Sequence, residues 1–406
     1  MSNNNNEETD HTKDPLFDFD ITHYTLPPPQ DIGIPVVIDN GTGTIKAGFA
    51  GEDAPRLIVP SVVGKPRQSE ECSKEQSYAR YVGEEALLRE AQVDLSWPVE
   101  HGLISDWEDM EKLWHHVFYD ALLAPPECHP IMLSEPPHNT KQLREQTAET
   151  LFETFNCPAM YMANQAVLAM YSTGKTTGIV LDCGKGMTNV VPVFEGFSVD
   201  HAMLRQDFGG KELTDYLETL LMKKGHKFET TNDREEVVKI KETLCYISPP
   251  TGLDKKTPED GESEKIYELP DGTKIDLSEE LFQCPEVLFK PGLLTGEEAQ
   301  EHRGVINMLN SSVTKCEPGY HKPLFRNIVL VGGGSMFPGL PERLYHQMEA
   351  VAPEGMKVKV VAAPERHLAV WIGGSILASL PNFQTMWIKK KDYCEVGPSV
   401  IHRKCF

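Results

Sequence analysis

Asp39-Asn40-Gly41-Thr42-Gly43 follows the apolar run Ile34-Pro35-Val36-Val37-Ile38, and Asp182-Cys183-Gly184-Lys185-Gly186 follows Gly178-Ile179-Val180-Leu181. Both are D-x-G-x-G behind a stretch of strand length, and both lead into a second β-like segment, Lys46–Phe49 in one case and Asn189–Phe194 in the other. The spacing predicts two antiparallel hairpins. Glycine accepts positive φ without a Cβ penalty, so each hairpin is expected to close through a tight turn that relies on that freedom. Such a turn can present backbone N–H groups to phosphate oxygens, and the acid ending the strand can hold a hydrated divalent cation shared with them. One D-x-G-x-G carries little weight, because many hairpins end this way. Two, each behind an apolar strand, favour duplicated lobes facing one nucleotide over two unrelated hairpins.

A third glycine cluster has the same setting. The strand-like run Ile328–Val331 precedes Gly332-Gly333-Gly334-Ser335, and a helix is expected around Leu340–Ala350. A strand, a glycine turn and a helix start let backbone approach a ligand closely, with the helix N-terminus favouring anionic groups. The dinucleotide pattern G-x-G-x-x-G is absent there, and no P-loop lysine motif occurs in the chain. Paired hairpins, not either common glycine loop, are therefore the expected phosphate cradle.

Around these motifs the chain reads as mixed α/β. Trp107, Met110, Leu113, Trp114, Val117, Phe118 and Ala121 share one face of an expected helix over Trp107–Leu123. Helical periodicity recurs over Lys141–Phe155 and Asp233–Tyr246, and strand-like runs lie at Ile131–Leu133 and Val358–Val361. The stretch Ala369–Leu380 is short, apolar and glycine-containing, so buried core is expected. Pro249–Lys265 is polar and charged and is expected to be a surface loop. Residues 1 to about 30, with Asn3–Asn6 and Pro27–Pro29, read as a disordered tail in which Leu16–Ile21 is either a docking peptide or plain tail.

Composition narrows the function classes. The 406 residues exceed one ordinary core. A net charge of −22 argues against a general binder of nucleic-acid backbones. No apolar run has the roughly 18 residues that span a bilayer, and the reading expects no secretory leader. Nine cysteines in no metal-type or disulfide framework fit a reducing compartment, the cytosol or the nucleus, with Cys183 a free buried thiol.

Val36–Arg56, Trp107–Tyr119, Phe152–Tyr161, Glu268–Gly272, Trp371–Leu380 and the final His402-Arg403-Lys404-Cys405-Phe406 closely resemble actin segments, and the likeness extends from about Val36 to the last residue. It is more specific than the fold shared with sugar kinases, which the match through His402–Phe406 disfavours. The resemblance implies an α/β, two-lobed actin-like ATPase fold, with duplicated α/β domains around a nucleotide cleft. Residues 31–172 plus 369–406 would form the small lobe, with an outer insertion at about 61–97. Residues 173–368 would form the large lobe, with an insertion at about 209–296. It implies ATP or ADP with Mg2+ or Ca2+ as cofactors. Asp39 and Asp182 match the acids that organise the hydrated cation, Lys46 a phosphate-contacting lysine, and Gln165 the glutamine that orients the attacking water. Gly41, Thr42, Gly43, Gly184, Lys185 and Gly186 fall in the phosphate hairpins. Lys241 and Glu242 match residues beside the adenosine, and Gly333, Met336 and Phe337 the adenine pocket. His101 matches a histidine near the cleft, and Arg205 matches a residue on the phosphate-release path, with a surface ion pair as the other reading.

This chain also departs from the family pattern. Lys185 stands where actin carries aspartate, Asn189 and His367 replace a histidine and a lysine, and Gly334 replaces a threonine. The segments matching subunit contacts, Gln68–Glu75 and Thr295–Glu301, are charged. A partner groove lined by Tyr171, Ile376, Leu377, Leu380 and Met386 is kept, which implies actin-like protomers and actin-binding proteins as partners. The expected function is an ATP-binding cytoskeletal protein, filament-forming or co-assembling, with slow hydrolysis. The alternative is a non-polymerising subunit of a chromatin-remodelling or dynactin-like complex.

Overall fold

A computed structural model describes residues 33–67, 81–228, 230–249, 265–270, 272–294 and 302–405. The expected tail, most of the 249–265 loop and the charged segments 68–75 and 295–301 lie outside the described residues.

Two sheets carry the duplication. In the first, Val36–Asn40 pairs antiparallel with Thr44–Phe49, which pairs antiparallel with Leu57–Pro60. On its other side Val36–Asn40 pairs parallel with Ile131–Glu135, which pairs parallel with Ala159–Asn164. The second sheet repeats this order. Gly178–Cys183 pairs antiparallel with Thr188–Phe194, which pairs antiparallel with both Phe197–Ser198 and Leu204–Gln206. Its other edge pairs parallel with Ile328–Val331, and that strand with Val360–Val361. The strands next to the D-x-G-x-G turns are fully apolar because parallel neighbours are covered on both faces.

Each sheet has its own core. Ile38, Ile45, Met132, Trp114 and Phe118 are buried around the first, and Leu181, Val190, Leu217, Ile240 and Leu330 around the second. The helices Gln165–Ser172 and Ala369–Ser379 pack on each other between them. Trp371 Nε1 donates to Val37 O at 3.0 Å on the first sheet, while Ala166, Ala169 and Met170 pack on Val180 and Val191 of the second. The two helices approach closely enough that a Cβ on Gly373 would overlap the Leu168 carbonyl oxygen. Backbone cannot yield as a side chain can, so Gly373→Ala is expected to destabilise by about 3 kcal/mol, the upper end of the usual cost of overpacking. Urea denaturation of the variant checks this, and an unchanged midpoint would show that the helices can separate.

Two helices differ from their sequence reading for one shared reason. Trp107–His115, capped by Asp106 Oδ1 accepting from Asp109 N at 3.1 Å, continues as a π-helix over His116–Ala121. Lys141–Glu149, capped by Thr140, likewise continues as a π-helix over Thr150–Thr154. The wider winding adds a residue to the turn. Leu122 N consequently bonds Val117 O, Leu122 takes the core position, and Ala121 is exposed. The Ala369–Leu380 stretch is likewise not all core, because Ile376 and Leu380 are 38% and 40% exposed.

Candidate functional site

Strand register places the two acids in matching positions. Asp39 lies opposite Lys46, and Asp182 lies opposite Asn189, each pair directly across an antiparallel ladder and so on one face of its sheet. Lys46 Nζ sits 3.3 Å from Asp39 Oδ2. Ser134 Oγ donates to Asp39 Oδ1 at 2.6 Å, and Gln165 Nε2 donates to the same oxygen at 3.5 Å. Gln165 is aimed there because it opens a helix whose cap, Asn164 Oδ1, accepts from Ala166 N at 2.9 Å.

The glycine turns close differently from the sequence expectation. Gly41, Gly43, Gly184 and Gly186 all lack positive φ. They are needed for space instead. A Cβ on Gly41 would lie 2.8 Å from Thr44 O, one on Gly43 would lie 2.7 Å from Lys185 Cδ, and one on Gly186 would lie 2.8 Å from Thr42 Cγ2. The tips of the two hairpins therefore touch. A positive φ is found instead at Gly332, at +85°, whose Cβ would overlap Asp182 Oδ1 and Cys183 O.

A third turn locks this junction. His101 and Gly102, at φ 46° and 77°, close the two-stranded hairpin of Val99–Glu100 and Leu103–Ile104. Gly102 N donates to Thr42 Oγ1 at 2.8 Å, while His101 Nδ1 lies 2.6 Å from Gly186 O. Arg205 donates to His101 O at 2.8 Å and to Pro137 O at 3.4 Å, and its Nε pairs with Asp207 at 2.8 Å. Arg205 thus makes the ion pair of the second sequence reading, and it also links the second sheet to the His101 turn and to the loop after Ile131–Glu135.

Electrostatically the site is unfinished. Desolvation, then the charge of Asp39, push the Asp182 pKa up from 3.8 to about 7 against the opposing pull of Lys46. Asn189 is buried with neither Oδ1 nor Nδ2 partnered, and Gln165 Oε1 is buried without a partner. Buried amide atoms are rarely left so, because each costs about 1–3 kcal/mol unless something polar meets it. Among the described residues no group of three or more His, Cys, Asp or Glu side chains is assembled as metal ligands. Asp39 and Asp182 are close enough for the charge of one to raise the pKa of the other, a pair that could hold a cation through water.

The remaining candidates lie around this centre with distinct environments. The N-terminus of the helix Gly210–Lys223 backs the second hairpin, with Gly210 N donating to Gly184 O and Lys211 N to Lys185 O. Lys241 is buried and donates to Gly210 O and Thr214 Oγ1, both at 2.8 Å, and burial lowers its pKa. Glu242 beside it is exposed. Gly333 is open, Met336 half-buried, and Phe337 lies in the second core. His367 Nδ1 is buried without a partner, and desolvation, then Lys46, lower the ring's pKa, which keeps it neutral at pH 7. Cys183 is a buried free thiol whose pKa burial raises. Of the proposed groove, Ile376 and Leu380 are exposed and Tyr171 and Met386 half-buried, whereas Leu377 belongs to the first core.

Ser134 and the direct roles of Thr42 Oγ1 and His101 Nδ1 were not visible in the sequence. One signal was: the acid and its cross-strand partner are separated by the same spacing in both motifs, Asp39 to Lys46 and Asp182 to Asn189. Among the described residues no helix is long and apolar enough to cross a membrane. The family model described as Actin matches residues 31–406. With the doubled sheet order and the touching hairpins, that match over nearly the whole sequence shows that the chain belongs to the actin family.

Proposed function

We propose that this actin-family protein binds ATP or ADP together with a divalent cation at the junction of the two hairpins. The observation that carries the reading is the set of unpartnered buried amides, Asn189 and Gln165, beside two neighbouring carboxylates. A hydrated cation at Asp39 and Asp182 would relieve their repulsion and neutralise polyphosphate charge. Lys46 and the backbone N–H groups of Thr42, Gly43, Lys185 and Gly186 hold the phosphates, since those of Gly41 and Gly184 are bonded to Thr44 O and Met187 O. Gln165, fixed by Asp39 and Ser134, orients a water with its free Oε1. Lys241, Glu242, Gly333, Met336 and Phe337 border the nucleoside.

A ligand bound only to the folded chain stabilises it by about 2.7 kcal/mol at one hundred times its Kd. Melting curves with ATP and Mg2+ should therefore shift upward, and GTP should serve as the comparison. An unchanged melting temperature with ATP and Mg2+ would remove the reading.

The finer reading is a cytoskeletal protein that assembles weakly, alone or with other actin-like protomers, with regulators docking at Tyr171, Ile376, Leu380 and Met386. The acidic residues of segments 70–75 and 297–301 support weak assembly, since like-charged loops repel across a subunit contact, most at low salt. Sedimentation with ATP at low and high salt is expected to give little pellet at low salt. No pellet under any condition favours the alternative, a nucleotide-stabilised subunit of a larger complex.

A further inference from the structure

We propose, resting on the nucleotide reading above, that Lys185 is a built-in cation of the phosphate cradle, so that this protein retains its nucleotide when divalent cation is withdrawn.

The position of the side chain carries the inference. Lys185 belongs to the second hairpin, but its stem lies across the tip of the first. Its Cβ, Cγ and Cδ are 3.3, 3.6 and 2.7 Å from the point that a Cβ on Gly43 would occupy. The lysine stem thus crosses the seam between the two turns. Across that seam Thr42 meets Gly186, with Thr42 Cγ2 2.8 Å from the corresponding point on Gly186. The backbone around Lys185 is held on both sides. Gly184 N donates to Met187 O at 2.9 Å, and Lys185 O accepts from Lys211 N at 2.8 Å. The stem therefore projects from a fixed base.

The charge is also unspent. Among the described residues no carboxylate pairs with the Lys185 ammonium, and the side chain is exposed. Asp39 is engaged by Lys46 and Ser134. Asp182 is penned in by desolvation and by Asp39. Lys185 is close enough to the second hairpin's backing for its charge to help lower the pKa of Lys241, after desolvation, the largest cause. The Lys46 ammonium lies 3.8 Å from the point that a Cβ on Gly41 would occupy, and the Lys185 stem lies against Gly43, so two lysines meet the first turn, where an incoming polyphosphate would place several negative charges. An ammonium meeting phosphate oxygens forms a charge-assisted bond. Part of the neutralisation that a divalent cation performs is then covalently attached to the protein. The plain alternative is a solvated surface lysine whose stem only covers Gly43.

Lys185→Met separates the two, because methionine keeps an apolar stem over Gly43 and deletes the charge. The full-length protein is loaded with etheno-ATP and Mg2+ and chased with excess ATP, with or without EDTA. Wild type and Lys185→Arg are expected to release the probe at rates that EDTA changes by less than about threefold. Lys185→Met should release it roughly tenfold or more faster on chelation, and Lys185→Asp faster still. In Mg2+ the same order is expected with smaller differences, because the divalent cation then neutralises most of the phosphate charge. Raising KCl should shrink the difference between wild type and Lys185→Met, as screening of an exposed charge demands. Rapid release from wild type on chelation, matched by Lys185→Met, overturns the inference while leaving the nucleotide site intact. Failure to load etheno-ATP even with Mg2+ overturns the nucleotide reading itself.

Discussion

Asp182→Asn is expected to raise the melting temperature of the ligand-free protein at neutral pH and to abolish the stabilisation that ATP with Mg2+ confers. The two effects have opposite signs and one cause. Desolvation and the neighbouring Asp39 lift the Asp182 pKa from 3.8 to about 7. A carboxyl with a raised folded pKa holds its proton in the folded chain after the unfolded chain has lost it. Stability contributed by this group is therefore present below about pH 4, falls as pH climbs, and is lost above pH 7. The deficit at neutral pH is on the order of 4 kcal/mol. Asparagine is neutral throughout, so wild type and variant should converge near pH 4 and separate most above pH 7. A cation that satisfies the carboxylate would cancel the deficit in wild type and find only Asp39 in the variant. Melting curves from pH 4.5 to 8, with and without ATP and Mg2+, check both arms. A ligand-free variant less stable than wild type at pH 7.5 would show that Asp182 is held by contacts rather than penalised by its surroundings.

The fold was legible because its deciding features are local. An apolar strand ending in D-x-G-x-G fixes a hairpin, and meeting it twice fixes a duplication that the matched sheet orders then display. The purpose of the glycines was not legible. Their φ values are ordinary, and what forbids a side chain at Gly43 or Gly186 is a residue of the other hairpin, far away in sequence. Periodicity carries no information about such a contact. The same limit hid Ser134, which closes an apolar strand like many serines and touches Asp39 only because their strands run side by side. It hid the contacts of His101 and Gly102 as well, whose turn reaches both hairpin tips. Helical periodicity erred at Ala121 because a π-turn shifts the register by one residue, and no residue type in His116–Ala121 announces it. Of the residues drawn from the resemblance, Asp39, Lys46, Gln165, Asp182 and the two glycine turns lie together. Leu377 does not line a surface groove, because on a helix packed between two sheets the neighbour of an exposed Ile376 turns inward.

Turnover should depend on Gln165 and be limited by Asn189. Phosphoryl transfer to water needs the nucleophile placed in line and the developing charge met, with little demand for a strong base. Gln165 is suited to placing it: the side chain is buried, its Nε2 is tethered to Asp39 at 3.5 Å and to Ser134 at 3.3 Å, and its Oε1 is left free. Removing one pre-positioned polar group of this kind costs about 10²- to 10³-fold in rate, so Gln165→Ala should lose roughly that factor in single-turnover hydrolysis while still retaining ATP. Asn189 is different. It lies across the ladder from Asp182, buried, with both amide atoms unpartnered, so it too can contact a water. An amide cannot accept the proton that the water must shed, whereas an imidazole can. Asn189→His is therefore expected to raise the single-turnover rate by roughly tenfold. Its rate should also acquire a pH dependence near the histidine pKa that wild type lacks. The pH profile is the decisive readout, because a merely better-packed side chain would change the rate without changing its dependence on pH. A faster Asn189→His variant with a flat profile would assign the gain to packing. A variant no faster than wild type would mean that Asn189 does not limit the chemistry, and that the water is already as well placed as Gln165 alone can hold it.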